Sequence, residues 1–205
     1  MKQKTISNMI SATGVGLHSG KKVTLLFKPA PENTGIVFIR TDLSSPEYIK
    51  ATSESVSTTS YCTTICNNKT TIGTIEHVMS ALAGLGIDNI FIELDGPEVP
   101  IMDGSSSPFI FLLESSGIKN LSSDKRFIYI TEKIEVNSED KYAFVEPYNG
   151  FKLDFKLDYN HPAIDNNSKE ISIDFTDSNY IKEVSRARTY GFLHEYEWMK
   201  KNNLL

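Results

Sequence analysis

Between Thr74 and Leu85 the residues Ile75, Val78, Met79, Leu82 and Leu85 recur at three- and four-residue steps, a spacing that lines them up on one face of a helix. Thr74 is the predicted N-cap and Gly86 the predicted stop. The segments around this helix read as strands. KVTLLFK (Lys22–Lys28) is rich in β-formers, GIVFIR (Gly35–Arg40) is a short apolar run, and NIFIEL (Asn89–Leu94) reads as a buried strand. The turn-rich PAPENTG, Pro29 to Gly35, is predicted to join the first two as a hairpin. A second helix is expected from Pro108 to about Ser115, with Ser107 as cap, proline in the first helical position and Gly117 past the end.

Further along, KNLSSDK (Lys119–Lys125) is polar and turn-prone, and a domain boundary is placed there, dividing the chain into residues 1–120 and 121–205. Beyond it Phe151, Leu153, Phe155, Leu157 and Tyr159 alternate with polar residues, the period of a half-buried strand, and Ile171, Ile173 and Phe175 repeat the pattern. Asp177 is expected to cap a short helix through Val184, and His194–Asn202 to form another. Both halves run from strands into helices without a close sequence repeat. The expected class is α+β: two similar layers, each a sheet covered by helices.

Apolar residues make up 40% of the 205 positions and charged residues 23%, which excludes disorder as the default state. A net charge of -5 gives no global basic field, so wholesale nucleic-acid binding is not expected. The first residues lack the apolar core of a secretion signal, and no apolar run approaches the roughly 20 residues that span a bilayer. A cytoplasmic protein is expected, one that meets any lipid from the water side. Cys62 and Cys66 lack a second Cys/His pair at matching spacing, so free thiols are the expectation rather than a structural zinc site or a disulfide framework.

Four groups of residues carry possible chemistry. Glu76 and His77 stand together in the first turn of the clear helix, where the partial positive charge of the helix start favours a carboxylate and disfavours protonated imidazole. An ionised carboxylate suits a general base and a neutral imidazole suits a metal. The same pair reads just as directly as a solvated helix start. His18 lies in GVGLHSG, whose glycines permit a tight turn and close ligand approach, although a polar strand-turn-strand tip fits too. Asp103, in PEVPIMDGSSSPF, is expected to fix its loop by accepting from neighbouring backbone amides. Arg186 and Arg188, at i and i+2 of SRARTYGF, would share a face on a strand, either for an anion or for an ion pair.

Taken in order, ATGVGLHSGKKV (Ala12–Val23), TIEHVMSALAGLGIDNI (Thr74–Ile90), PEVPIMDGSSSPF (Pro97–Phe109), YNHPAID (Tyr159–Asp165) and SRARTYGF (Ser185–Phe192) resemble the signature blocks of the UDP-3-O-acyl-N-acetylglucosamine deacetylases. The resemblance covers essentially the whole chain. It implies a zinc hydrolase of lipid A biosynthesis in Gram-negative bacteria, with two similar α+β domains packed through their helices. By resemblance His77 is a Zn2+ ligand, Glu76 the general base that activates water, and Thr189 the hydroxyl that hydrogen-bonds the oxyanion. Phe192 falls at the entry to the acyl-chain passage, and Tyr190 stands where the family commonly carries phenylalanine. Asp158 and Tyr159 fall near positions associated with uridine contact, and His18 is grouped with them as substrate-binding. The implied partner is a nucleotide-sugar lipid precursor, handled by a monomer in peripheral contact with the inner membrane.

The family's two remaining zinc ligands belong to a later His-Lys-x-x-x-Asp segment that residues 1–205 do not contain, and His161 and His194 lie in blocks without that pattern. A catalytic zinc site ordinarily takes three protein ligands. The expectation is therefore that the chain is truncated, that this stretch alone is inactive, and that its second domain, lacking later strands, exposes an apolar sheet face. A non-catalytic module that binds a nucleotide sugar or an acyl carrier surface is the alternative from a different functional class.

Overall fold

The structure is a computed structural model. It describes the chain except for residues 69, 140, 158–169, 177–178, 189–191 and 202–205, and the side chain of residue 194. Two compact units are present. One comprises Met1–Lys125 with Ile181–Leu205, the other Arg126–Tyr180.

The first unit is organised around β9 (Ile90–Leu94), the middle strand of a five-stranded sheet ordered β2-β3-β9-β4-β5. β2 (Ile10–Val15) and β3 (Lys22–Pro29) form an antiparallel pair, and β3 in turn runs antiparallel to β9. On the other side β4 (Ile36–Arg40) lies parallel to β9 and antiparallel to β5 (Glu47–Lys50). The register sets Ile92 level with both Phe27 and Phe38, and Leu94 level with Leu25. All five side chains are fully buried, so one face of the sheet is a continuous apolar layer. The PAPENTG segment consequently does not close a hairpin. NIFIEL is apolar at every buried position of its strand and takes the centre of the sheet, which drives β3 and β4 apart.

A three-stranded sheet, β6 (Val56–Thr58), β7 (Thr64–Asn67) and β8 (Thr70–Ile72), leads into α1 (Glu76–Leu85). Arg40 ties this small sheet to the large one. Its guanidinium donates twice to Asp42, at 2.8 and 2.7 Å, and once to the Thr71 carbonyl at 2.9 Å. The Arg40 hydrogen bond is the main reason the Asp42 carboxyl sits below its ordinary pKa.

α1 buries Val78, Leu82 and Leu85, as the three/four spacing predicts, with Ala81 beside them, while Met79 on the expected face is only half-buried. Gly86 ends it at φ 66°, and the Ile87 N–H reaches back to the Leu82 carbonyl at 2.9 Å. Lys4 and Lys125 donate to the Leu85 and Gly86 carbonyls, placing cations at the negative end of the helix. α2 (Ser107–Ser115) packs against α1 and carries proline in its first turn. The cap differs from expectation: Ser107 is inside the helix, and its N–H is taken by the Ser105 hydroxyl at 3.2 Å.

KNLSSDK is not a turn. Most of it lies in β10 (Ile118–Asp124), antiparallel to β1 (Lys2–Ile6). Pairing of the backbone holds this strand in place, and its polar side chains face outward without an apolar period for the sequence to display.

In the second unit β11 (Ile134–Ser138) pairs with β12 (Lys141–Val145), and β13 (Lys152–Lys156) with β14 (Glu170–Asp174). The alternation read at Phe151–Leu157 does produce a strand, but not a half-buried one. Phe151 and Phe155 are 64% and 51% exposed, because no helix among the described residues of this unit covers the hairpins. Phe175 packs its ring against Phe151 and Tyr180. The helix expected through Val184 is a π-helical turn, Tyr180–Val184, and its proposed cap Asp177 lies outside the described residues. The charged segment after residue 192 forms α3 (Leu193–Lys201). No helix of the described residues is long and apolar enough to cross a membrane. The mixed strand and helix content is that of an α+β protein.

Truncations in α1 and α2 should expose the difference between buried and open apolar positions. Leu82→Ala, at a fully buried site, is expected to cost about 3 kcal/mol, while Phe111→Ala, on the open side of α2, should stay within about 0.5 kcal/mol. Urea midpoints at unchanged slope measure both.

Candidate active site

The start of α1 is shaped by Thr74, which adopts φ 57°. A β-branched residue in the left-handed region carries strain of about 1–3 kcal/mol and persists only where its surroundings hold it. Thr74 does not cap the helix as expected. Its hydroxyl donates instead to Glu98 Oε1 at 2.8 Å, and Ile75 occupies the capping position without a side-chain bond.

Glu76 and His77 follow, both half-buried and off the buried stripe of α1. Glu76 Oε2 accepts the Thr63 N–H at 3.0 Å, while the Ile75 N–H donates to the Thr63 carbonyl at 3.3 Å. These two bonds clamp the lead-in of β7 onto the first turn of the helix. Cys62 and Cys66 are free thiols, as expected, with Cys62 Sγ 3.6 Å from the Thr64 hydroxyl.

Glu98, which the sequence reading passed over, is the polar centre of this region. It is only 4% exposed. Besides Thr74 it accepts the backbone N–H groups of His18, at 3.0 Å, and Ser19, at 2.8 Å. Burial by itself raises the Glu98 pKa, but the donors from His18, Ser19 and Thr74 together outweigh it, and the net displacement is downward. GVGLHSG forms the turn from β2 to β3, and Gly16 is required where it stands. A Cβ there would overlap the Ser19 hydroxyl and lie 2.5 Å from Glu98 Oε2. The expected close approach at this glycine is real, and the approaching group is the protein's own carboxylate.

Around the PEVPIMDGSSSPF loop, Asp103 accepts the Ser105 hydroxyl at 2.8 Å and its N–H at 2.9 Å, which fixes the loop as expected. The Ser105 hydroxyl is the first cause of the lowered Asp103 pKa. Arg188 lies 3.3 Å from Asp103, an exposed pair worth about 0–1 kcal/mol. Arg186 and Arg188 do not share a strand face: they follow the π-helical turn in irregular backbone, held near α2 by the Ser106 hydroxyl on the Ser185 carbonyl at 2.9 Å. Phe192 is half-buried and donates its N–H to Glu195 at 2.7 Å, capping α3. From α3, Trp198 stacks on Tyr61 with ring centroids 5.6 Å apart. Thr189, Tyr190, Asp158, Tyr159 and His161 lie outside the described residues, as does the side chain of His194.

Glu98 thus joins the His18 turn to the residue that opens α1, two places before Glu76. Among the described residues no three His, Cys, Asp or Glu side chains form a group able to hold a metal ion.

The sequence profile of the UDP-3-O-acyl N-acetylglycosamine deacetylase family matches residues 3–205. Among curated relatives, the UDP-3-O-acyl-N-acetylglucosamine deacetylase of Shewanella piezotolerans is 51% identical over 203 residues, 98% of this chain and 66% of the relative. Those of Aliivibrio fischeri and Coxiella burnetii are each 48% identical, over 205 and 204 residues, covering 100% of this chain and 67% of the relative. The chain spans about two thirds of the length of the curated relatives it matches.

The lowered Glu98 pKa makes its contribution testable by pH. A depressed carboxylate stabilises the fold fully above its ordinary value of 4.5 and loses that contribution as pH falls through the folded-state value. Glu98→Gln should cost about 2 kcal/mol at neutral pH, and the gap from the parent chain should narrow as pH drops below that ordinary value. Urea unfolding across an acid series measures the gap; a pH-independent difference would contradict the assignment.

Proposed function

The chain belongs to the UDP-3-O-acyl N-acetylglycosamine deacetylase family, and on that premise we propose that the complete protein hydrolyses the N-acetyl amide of UDP-3-O-(3-hydroxyacyl)-N-acetylglucosamine in lipid A biosynthesis. Water adds to the acetyl carbon, the C–N bond breaks, acetate leaves and the sugar keeps a free amine. What supports this reading most directly is the clamped first turn of α1, where a carboxylate and an imidazole stand on adjacent residues with Glu76 held by the Thr63 N–H.

In this reading Glu76 accepts the proton of the attacking water and delivers it to the departing amine. His77 supplies one imidazole toward Zn2+, whose further ligands lie outside the described residues. When bound, zinc lowers the pKa of a coordinated water toward about 7 and polarises a carbonyl. Thr189 donates its hydroxyl to the oxyanion, a type of contact whose loss typically costs about 3 kcal/mol. Phe192 and Tyr190 border the acyl chain, each buried methylene of which contributes roughly 0.8 kcal/mol. Asp158, Tyr159 and His18 contact the nucleotide-sugar portion. The enzyme works in the cytoplasm as a monomer, meeting its lipid precursor at the inner membrane surface without a partner nucleic acid.

Two substitutions in the complete protein test these roles. Glu76→Ala should keep its zinc yet lose deacetylation by about 10²–10⁴-fold, whereas His77→Ala should lose metal and turnover together. Elemental analysis beside an acetate-release assay separates the two. Undiminished turnover in Glu76→Ala removes that residue from the base role.

A further inference from the structure

We propose that Glu98 is a positioning residue for the reaction: its buried carboxylate locks the His18 turn and the Thr74 entry turn together and so sets how α1 presents Glu76 and His77. Three strands of observation converge on it. The donors come from two segments far apart in sequence, the His18 and Ser19 amides on one side and the Thr74 hydroxyl on the other. Glu98 itself is pinned by backbone bonds on both sides, since the Gly73 N–H donates to the Pro97 carbonyl at 3.0 Å and the Val99 N–H to the Gly73 carbonyl at 3.1 Å. Both neighbouring segments are also adapted to it: residue 16 has no side chain to obstruct the carboxylate, and Thr74 holds a left-handed backbone with its hydroxyl committed to Oε1.

Stability alone is a poor reason for this arrangement. Burying a charge costs several kcal/mol of solvation in any protein, and well-packed apolar side chains commonly stabilise a core as well or better. A charge hydrogen-bonded by donors from separate segments does what apolar packing cannot, because it fixes their relative position through directed bonds. Thr74 is the residue through which that position reaches the site. Its φ determines the direction in which the chain enters Ile75, and the first turn follows immediately. Glu98 touches no group that reacts, so its effect is on geometry.

The test has two independent arms. Amide exchange in the 205-residue chain, without metal or substrate, should show at least one of the His18 and Ser19 amides exchanging about ten-fold or more faster in Glu98→Gln, while Leu82 and Ile92 keep their protection within about two-fold. The glutamine retains one acceptor oxygen but turns an N–H donor toward an N–H donor. In the complete protein, the turnover arm rests on the deacetylase reading. Glu98→Gln and Thr74→Val should lower kcat about ten-fold or more with KM changed less than about three-fold, and Thr74→Ser, which keeps the hydroxyl, should restore kcat to within about three-fold of the parent. Unchanged exchange at His18 and Ser19, protection lost equally at Leu82 and Ile92, or Thr74→Ser as impaired as Thr74→Val would each overturn the proposal. Should Glu98→Gln fail to fold, the Thr74 pair decides by itself. A parent protein without deacetylase activity would refute the proposed function, and the exchange arm would still decide the role of Glu98.

Discussion

A carboxylate removed from water must be met by donors, and at Glu98 that requirement organises the region around it. The His18 turn supplies two amides, Thr74 supplies a hydroxyl, and the chain accepts a left-handed threonine and a side-chain-free position 16 to let them converge. On the other flank of the small sheet, Arg40 plays the complementary part with opposite charge, its guanidinium shared between Asp42 and the Thr71 carbonyl. Arg40 thus holds β8 at Thr71, and Glu98 holds the chain three residues later at Thr74, just before α1. The helix start is held by directed polar contacts, while its far end combines a glycine stop with lysine donors on its last carbonyls.

Where the sequence could be read, it was read through periodicity. The buried face of α1, the glycine at its end, and the apolar strand NIFIEL follow from patterns confined to a dozen residues, so local physics suffices for them. Thr74 shows the limit. As a hydroxyl residue ahead of an apolar-periodic run it looks like a cap, yet a carboxylate 24 positions later claims the hydroxyl. Glu98 itself is a single acidic residue between prolines, and nothing near it in sequence announces donors some 80 positions away. The same non-locality separates β3 from β4, because the strand that comes between them is β9. β10 is silent in the sequence for a different reason: it is held by its backbone, and its side chains follow no apolar period.

Of the site, the adjacent Glu76 and His77 were visible as a pair, but their setting was not. The Thr63 amide that holds Glu76 comes from the loop before β7, and the two arginines of SRARTYGF resolve into one exposed pairing with Asp103 rather than a shared strand face. Family membership adds what neither periodicity nor geometry contains, namely the chemistry expected of that helix start. It also sets a proportion, since the 205 residues correspond to about two thirds of the length of their relatives.

The chain contains a single tryptophan, and the fold places it on α3 against the ring of Tyr61, one residue before Cys62 and two before the Thr63 amide that holds Glu76. Indole emission from these 205 residues is therefore not an average over many environments. It is a built-in optical gauge of one junction, reporting whether the loop that steadies the helix start and α3 remain in register.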